Sequence, residues 1–139
     1  MPDGGQKPAP LPDEWSQGYW EAAREGKLVV QRCTECGKAQ YPPDVMCHRC
    51  QAETFAFTEV SGRGTVYSFS TFTRSLMPAF EAPYMLTLVD LEGDDGIRML
   101  TNLVEVDQAD ARIGMPVEVT FEPRGEWALP QFRPTGAST

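Results

Sequence analysis

Few of the side chains that enzymes use for acid–base or nucleophilic catalysis are present in this chain. Its 139 residues include one histidine, His48, and four cysteines. All four cysteines belong to one motif and the histidine lies inside it, so no Cys–His or Ser–His–Asp arrangement can be assembled. Catalysis by paired carboxylates is also disfavoured, because the candidates lie in turn-like segments where solvated acids are expected: Asp94, Asp95, Glu105 and Asp107.

Nucleotide-binding loops and long apolar segments are absent as well. The chain has no GxxxxGK[ST] sequence and no GxGxxG after a strand, because Gly62-Arg63-Gly64 reads as a turn. No apolar run approaches the roughly 18 residues that span a bilayer, and the first residues lack the charged start and apolar stretch of a signal peptide. We therefore expect a cytoplasmic protein.

Basic residues are too scarce for a typical nucleic-acid-binding protein. Twelve Lys and Arg stand against 20 Asp and Glu, which gives a formal net charge of −8. Residues 76–126 contain 11 acids and 3 bases, whereas residues 24–50 contain 3 acids and 5 bases. The second region leaves room for a local anion site. Tyr67, Phe69 and Phe72 are candidate stacking platforms for bases, but the phosphate-neutralising stripe that dominates such binding is missing.

The four cysteines have the spacing of a metal site. Cys33, Cys36, Cys47 and Cys50 form a C-x2-C-x10-C-x2-C motif, in which each C-x-x-C turn aims two thiolates at one point. Two disulfides are disfavoured without an export signal, reduced core cysteines by the spacing, and redox chemistry by the lack of a βαβ context. The motif predicts one structural zinc ion, with iron as the alternative. Such a site is coordinatively closed, and we expect His48 to stay outside it.

The rest of the chain predicts a mainly β protein. We expect a disordered leader over 1–12, an N-terminal helix over 13–27 with Asp13 as its N-cap, a zinc ribbon over 28–56 and a β-rich domain over 57–139. Strands are predicted at 28–32, 65–73, 84–91, 97–104 and 117–122, with a last short strand at Phe132 and a helical turn within 107–112. About five short strands after residue 57 favour a five-stranded OB-fold barrel.

Two apolar segments each allow two interpretations. Trp15, Tyr19 and Trp20 form an aromatic stripe on the predicted helix, which is either a core contact or a docking surface for a partner. The proline-bounded loop at 75–83 carries Leu76, Met77 and Phe80 between two long strands. It either folds back as a lid on the barrel or offers an apolar surface to a partner or an acyl chain.

Several short motifs in one order resemble a known family from about Trp20 to Pro134. These are YWEAA at 19–23, GKL at 26–28, QRC at 31–33, the two C-x-x-C pairs, PP at 42–43, VSGRGTVYS at 60–68, APY at 82–84 and IGMPV at 113–117. The family is the rubredoxin-like zinc-ribbon plus OB-fold proteins, domain of unknown function thirty-five, which accompany thiolase-like enzymes. The resemblance implies an N-terminal helical arm, a rubredoxin-like ribbon and a C-terminal OB-fold.

The resemblance also implies a function. Family members look like non-catalytic partners of acyl-CoA enzymes, including thiolases, acyltransferases and the lipid-transfer-protein-like aldolases of steroid side-chain breakdown. We therefore expect an auxiliary subunit that binds a thiolase-fold enzyme and helps form its acyl-CoA site. The alternatives are a stand-alone acyl-CoA-binding protein and a single-stranded nucleic-acid-binding OB-fold module. Candidate contacts for CoA phosphates are Lys38, Arg63 and Arg74.

Overall fold

A computed structural model describes residues 7–75, 77–93 and 96–135 of the protein. Within these ranges the chain is mainly β, as predicted, with one α-helix and no helix of the length and apolar character needed to cross a membrane. Residues 1–6 of the predicted leader and the loop residues Leu76, Asp94 and Asp95 lie outside the described residues. The elements are α1 Gln17–Arg24, β1 Val29–Cys33, β2 Ala39–Gln40, β3 Phe55–Glu59, β4 Arg63–Phe72, β5 Tyr84–Leu91, β6 Arg98–Leu103, a 3₁₀ turn Gln108–Asp110, β7 Pro116–Arg124 and β8 Trp127–Pro134.

The helix is shorter than the predicted span of 13–27. A turn over 14–16 precedes α1, and it is closed by two reciprocal hydrogen bonds: Ser16 N–H donates to Asp13 Oδ1 at 2.9 Å, and Asp13 N–H donates to Ser16 Oγ at 3.1 Å. The same pair of positions forms a capping box in other helices. Asp13 therefore closes the turn ahead of the helix, but the N-cap of α1 is Ser16 and regular helix begins at Gln17, so the predicted N-cap was wrong.

The cysteine segment is framed by a small antiparallel sheet in the order β2-β1-β3. β3 pairs with β1 along its whole length, from Phe55 opposite Cys33 to Glu59 opposite Val29. The predicted division at residue 57 therefore falls inside β3, because pairing across the sheet holds the strand beyond the last cysteine. We propose that the ribbon unit extends to about residue 60, ahead of the barrel strand that begins at Arg63.

The second unit is a closed five-stranded barrel in the order β4-β5-β6-β8-β7, which confirms the predicted OB-fold. Neighbouring strands are antiparallel except β6 and β8, which meet in parallel at Leu103 and Phe132. Alternate residues of β5 and β6 point inward, and Val89, Val117 and Phe132 are fully buried. Burial of side chains of this size contributes about 1.5–3 kcal/mol each.

The last strand is much longer than the predicted short strand at Phe132. β8 runs for eight residues and pairs along its length with β7, although it contains Pro130 and ends at Pro134. Proline normally marks a strand edge, because it cannot donate to a neighbouring strand. β8 tolerates Pro130 because its other neighbour, β6, pairs with it only at Leu103, and the Thr101 hydroxyl donates to the Pro130 carbonyl at 3.2 Å.

Helix α1 connects the ribbon to the barrel. Tyr19 is only 3% exposed and lies in the hydrophobic core, with its hydroxyl 3.4 Å from that of Tyr41 in the ribbon. On the barrel side, the Arg24 guanidinium lies 4.3 Å from the centre of the Trp127 ring and donates to the Glu126 carbonyl. One short helix thus contacts both units, which fixes the ribbon against the β7–β8 hairpin.

Gly62 starts the barrel at a position that a larger residue cannot occupy without strain. Its φ is +80°, and a Cβ there would lie 2.6 Å from Val119 Cγ1. We expect Gly62→Ala to lower the free energy of unfolding by about 2–3 kcal/mol, because left-handed backbone strain and overpacking add. Urea denaturation of the zinc-loaded protein measures the loss.

Gly114→Ala is the matched control for Gly62→Ala. Gly114 has a similar φ of +88°, but a Cβ there would meet nothing within 4 Å. Backbone strain alone should cost about 1 kcal/mol. Equal losses in the two variants would contradict the assignment of a packing contact between Gly62 and Val119.

Candidate functional site

Two tight turns present the cysteines of the ribbon. In the first, Gly37 N–H donates to the Cys33 carbonyl at 3.0 Å, and in the second, Gln51 N–H donates to the Cys47 carbonyl at 2.9 Å. Gly37 has a φ of +80° and Gln51 a φ of +68°. The second turn departs from the usual glycine in sequence but adopts the same left-handed backbone, so the two turns have matching geometry.

The turns bring all four thiols together at one point. The four Sγ atoms lie within 4.8 Å of one another, with 3.6 Å between Cys33 and Cys50 and 3.7 Å between Cys36 and Cys47. Tetrahedral coordination with a Zn–S distance of roughly 2.3 Å requires sulfur atoms about 3.8 Å apart. The donor set and its spacing fit a structural zinc ion in a rubredoxin-like ribbon, as predicted from the cysteine motif. Four sulfur ligands complete the tetrahedron, so the ion's role there is to order the chain.

Backbone N–H groups stabilise negative charge on two of the sulfurs. The N–H groups of Cys36 and Glu35 lower the pKa of Cys33, and those of Cys50 and Arg49 lower the pKa of Cys47 to about 6. The N–H of Ala52 also lowers the pKa of Cys50, but desolvation and the other three thiols raise it to about 12. Without a cation, therefore, the cluster does not hold four negative charges, and a divalent metal is what allows all four thiolates to form.

His48 lies outside the ligand set, as expected. Its Nε2 is 3.0 Å from Asp44 Oδ2, and half of its side chain is exposed. The hydrogen bond from His48 also lowers the pKa of Asp44. The imidazole therefore forms a surface pair on the ribbon.

A buried pair of glutamines, which was not predicted from the sequence, holds the proline-containing loop between the cysteine turns. Gln40 Nε2 donates to Gln31 Oε1 at 2.8 Å, and Gln31 bonds both the N–H and the carbonyl of Asp44. Gln40 also accepts from His48 N–H at 2.9 Å and donates to the Met46 carbonyl. Both side chains are buried. The available signal was the position of the two glutamines, in short strands on either side of the first C-x-x-C turn.

Outside the ribbon, the outer face of β5 and β6 is unusually apolar. Leu86, Leu88 and Leu100 point away from the barrel core, and we call them the leucine strip. Leu100 is 56% exposed. These are the second and third strands of the barrel, the strands that carry ligands in many OB-folds. A face that would bind polyanions in other OB-folds is here covered by leucine.

Two cavities border the leucine strip. The larger, of about 390 Å³, lies between Phe80 of the loop before β5, Leu86 and Asn102 of the outer face, and Gln131 of β8. We call it the amide cavity, after the side chains of Asn102 and Gln131. The smaller, of about 190 Å³, lies beside α1 and is lined by Trp20, Leu86, Leu100 and Asn102, among others. Leu86 and Asn102 line both, so the two cavities adjoin.

The residues predicted to contact a partner lie in different environments. Trp20 and Phe80 are half-buried and lie at the two cavities, so the fold brings these distant sequence positions to opposite ends of one apolar region. Trp15 and Met77 are exposed. Tyr19 is a buried core residue, because its ring packs against Trp20 and Tyr41. The remaining predicted residue, Leu76, lies outside the described ranges.

The predicted CoA-phosphate cations are not assembled into one site. Arg63 is the first residue of the ten-residue strand β4 and Arg74 lies just beyond its last residue, so the two are about 30 Å apart. Lys38 lies in the ribbon, and all three side chains are exposed. Of the acids considered for catalysis, Glu105 is exposed and 3.5 Å from Arg133, and Asp107 is exposed ahead of the 3₁₀ turn. None of these described acids lines the amide cavity.

The candidate base-stacking aromatics already have partners within the protein. The Arg98 guanidinium lies 3.5 Å from the centre of the Tyr67 ring, and Phe72 stacks on Tyr84 at 5.0 Å. Phe69 is half-buried and packs against the core. One face of the Tyr67 ring and one face of the Phe72 ring are therefore covered within the protein.

Two family models match consecutive parts of the chain. One, described as the rubredoxin-like zinc ribbon domain of ChsH2, matches residues 20–56. The other, described as the C-terminal OB-fold domain of ChsH2, matches residues 57–122. Together they cover most of the chain, and they agree with the ribbon and barrel observed.

Curated relatives extend this likeness over nearly the whole chain. A probable enoyl-CoA hydratase alpha subunit of Thermomonospora curvata is 37% identical over 129 residues, which are 92% of this chain and 40% of the relative. The 3-oxo-4,17-pregnadiene-20-carboxyl-CoA hydratase alpha subunit of Mycobacterium tuberculosis is 31% identical over 96% of this chain and 41% of its own length. A DUF35 domain-containing scaffold protein of Methanocaldococcus jannaschii is 34% identical over 68% of this chain and 67% of its own. The chain thus spans about two fifths of the length of the two hydratase subunits.

A solved structure has the same fold at similar sequence identity. It is described as an Ltp2-ChsH2(DUF35) aldolase, and the matching chain superposes with a TM-score of 0.82 at 36% identity. The match covers 91% of this chain and 98% of that one. The shared architecture therefore includes the ribbon, the helix and the barrel.

Removal of one thiol should abolish metal binding. We expect the protein to contain about one zinc ion per chain, and Cys36→Ser to lose it, because three thiolates cannot close the tetrahedron. Metal analysis by mass spectrometry and a chelator titration followed by circular dichroism measure both effects. His48→Ala is the control and should keep its full metal content; a loss in that variant would make His48 a ligand after all.

Gln31→Leu should destabilise the ribbon although it keeps side-chain size. The variant leaves the Asp44 N–H and carbonyl without their buried partner, which should lower the free energy of unfolding by about 2–3 kcal/mol. It should also speed zinc transfer to a chromophoric chelator. Gln17→Leu, on the exposed face of α1, should change stability by less than about 0.5 kcal/mol. Equal effects in the two variants would contradict a structural role for the glutamine pair.

Proposed function

This chain belongs to the ChsH2 (DUF35) family of rubredoxin-like zinc-ribbon and OB-fold proteins, and we propose that it is a non-catalytic subunit of a thiolase-fold aldolase or acyltransferase. In this role it binds the enzyme in the cytoplasm and helps form or stabilise its acyl-CoA site, in steroid or lipid side-chain metabolism. The observation that carries the proposal is the close match to a chain of an Ltp2-ChsH2(DUF35) aldolase. The names of the other relatives, a scaffold protein and subunits of CoA hydratases, support a role within a larger assembly.

The leucine strip supports docking to a protein partner. Leu86 and Leu100 of the strip line the smaller cavity together with Trp20, and Leu86 lines the amide cavity together with Phe80. Contiguous apolar surface rimmed by polar residues is characteristic of protein interfaces, and aromatic residues are enriched there. The rim here is polar: Asp90 and Arg98 form an ion pair at 2.6 Å beside the strip. We therefore assign the partner enzyme to this face.

The described side chains support a subunit without its own active site. The four thiols converge on the metal position, and the single histidine is paired with Asp44 on the ribbon surface. In the amide cavity, Glu122 bonds Arg124 at 2.6 Å and Lys7 at 3.5 Å, and the other acid of the lining, Glu81, is exposed to solvent. None of these groups is paired with a histidine, cysteine or second carboxylate in the arrangement that a general base or nucleophile requires.

A stand-alone acyl-CoA-binding protein is the second candidate, and the amide cavity is the observation that favours it. Its volume falls in the range of small-molecule sites. This candidate predicts micromolar or tighter binding of an acyl-CoA to the isolated chain by calorimetry. An auxiliary subunit, which holds only part of the ligand, predicts much weaker binding.

A nucleic-acid-binding module is the third candidate, and the barrel surface disfavours it. The OB-fold ligand strands carry leucines, and the aromatic rings have partners within the protein. Salt-dependent retention of single-stranded oligonucleotides would support this candidate, and no retention at low salt would remove it.

Co-expression with the thiolase-fold aldolases and acyltransferases of the same organism tests the leading proposal. We expect one of them to co-purify with the zinc-loaded chain as a stable complex through size-exclusion chromatography. A chain that elutes alone in the presence of every such enzyme would contradict the proposal.

Within that complex, Leu100→Glu should weaken binding of the partner at least tenfold. The substitution places a charge in the centre of the proposed interface, where it would be desolvated without a partner. Ile113→Glu is the matched control, because Ile113 is 70% exposed in the loop before β7. Zinc content and circular dichroism verify that both variants fold. Equal recovery of the partner with both variants would exclude the leucine strip as the interface.

A further inference from the structure

Exposure to solvent separates one of the four cysteines from the others. Cys33 and Cys47, which open the two C-x-x-C turns, are each only 1% exposed, and Cys36 is half-buried. Cys50, the last residue of the motif, is exposed. Oxidants react with thiolates that solvent reaches, so the four sulfurs differ in their access to a dissolved oxidant. Cys50 is therefore the point at which the metal site meets the solvent.

A buried thiol lies next to the exposed one. Cys33 Sγ is 3.6 Å from Cys50 Sγ, and the two cysteines belong to different turns. The sulfur atoms of a disulfide are about 2.05 Å apart, so a shift of about 1.5 Å is enough to join them. An exposed thiolate with a second thiol in reach is the arrangement found in redox-sensitive cysteines.

From these positions we propose that Cys50 is a site of oxidation by peroxides, and that its oxidation forms a Cys33–Cys50 disulfide and releases the structural metal. The Cys50 thiolate attacks hydrogen peroxide: a sulfur–oxygen bond forms, the oxygen–oxygen bond breaks, and hydroxide leaves. The Cys33 thiolate then attacks the sulfenic sulfur of Cys50, the disulfide forms, and the oxygen leaves as a second hydroxide. The two sulfurs lose two electrons in total, and with two protons the peroxide becomes two molecules of water.

Loss of two ligands loosens the ribbon. Cys36 and Cys47 remain as thiolates, and two thiolates do not close the tetrahedron that holds the ion. Helix α1 packs directly on β3, because a Cβ on Gly18 would lie 2.7 Å from the Phe57 ring. Order in α1 therefore depends on the ribbon that the metal holds. The reaction differs from thioredoxin-type exchange, since it removes the metal site and catalyses nothing.

Peroxide treatment of the full zinc-loaded chain tests the proposal. With one equivalent of hydrogen peroxide, we expect one zinc ion to be released for each pair of thiols lost, measured with a chromophoric chelator and a thiol reagent. Intact mass spectrometry should show the loss of two hydrogens, which differs from the added oxygen of methionine sulfoxide at the exposed Met46 and Met77. Dithiothreitol with added zinc should restore the metal content. Full retention of zinc in excess peroxide would overturn the proposal.

Proteolysis maps the disulfide, because the sequence has a cleavage site between the cysteines of each turn. Trypsin cuts the ribbon into peptides of residues 33–38, 39–49 and 50–63. Cys47 and Cys50 then lie on different peptides, and a glutamyl endopeptidase separates Cys33 from Cys36 by cutting after Glu35. We expect the first bridged product to join Cys33 to Cys50. A first disulfide between any other two cysteines would overturn the proposal.

Two histidine variants isolate the role of exposure. Cys50→His and Cys36→His each keep three thiolates and add one imidazole, a ligand set that structural zinc sites use. Peroxide should release zinc from Cys50→His at least about tenfold more slowly than from the unchanged chain, because the exposed thiol is gone. Cys36→His keeps both reacting thiols and should stay within about threefold of the unchanged rate. Equal slowing in the two variants would overturn the proposal.

Zinc content and circular dichroism verify that both histidine variants are loaded and folded. Where either variant does not hold one zinc ion, the disulfide map of the unchanged chain decides the proposal by itself.

The oxidation site is independent of the proposed function, and the two fail separately. All of its measurements use the chain without a partner. A chain that co-purifies with its enzyme but keeps its zinc in peroxide would overturn only the oxidation site. A chain that forms the Cys33–Cys50 disulfide but captures no thiolase-fold enzyme would overturn the proposed function and leave the oxidation site standing.

Discussion

Four thiols held within 4.8 Å of one another cannot all ionise unless a cation offsets their charges, and the structure of the ribbon follows from that constraint. The sheet around them has strands of five, two and five residues, too short to be stable without a metal or extensive packing. Metal binding orders β1 and β3, α1 packs on the ribbon through Tyr19, and the same helix contacts the barrel through Arg24. The ordered ribbon thus helps to fix the position of the barrel, because α1 contacts both units.

Local sequence signals predicted the parts of the fold that local chemistry determines. The C-x-x-C turns place the four cysteines, and alternation along β7 identifies a half-buried strand. The length of β8 and the existence of β3 could not be found in this way. β3 is held by hydrogen bonds to β1, which is distant in sequence, and β8 continues past the proline at 130 because it forms a hairpin with β7. Gln31 and Gln40 were missed because amides look like surface residues until their partners are known.

The sequence indicated an apolar outer face on β5, but not which residues that face would adjoin. Residues 84–91, YMLTLVDL, are apolar on both faces of the strand, a pattern typical of strands covered on both sides. Which face enters the core is decided by register, and pairing places Met85, Thr87 and Val89 inside. Leu86 and Leu88 then point outward beside Leu100. No described part of the chain covers Leu100. An apolar outer face was therefore foreseeable, but its place beside Trp20 and Phe80 was not.

Under the proposed function, partner docking and ligand binding would be physically coupled. Leu86 and Asn102 line both cavities, so an enzyme seated on the leucine strip would border the amide cavity. Burial of this rim would exclude water and strengthen any hydrogen bond made there. By linkage, a ligand that contacts both subunits would stabilise the complex by the same factor by which the partner raises its affinity for the ligand. A non-catalytic subunit of the proposed kind would then act on both substrate affinity and assembly through one stretch of β5 and β6.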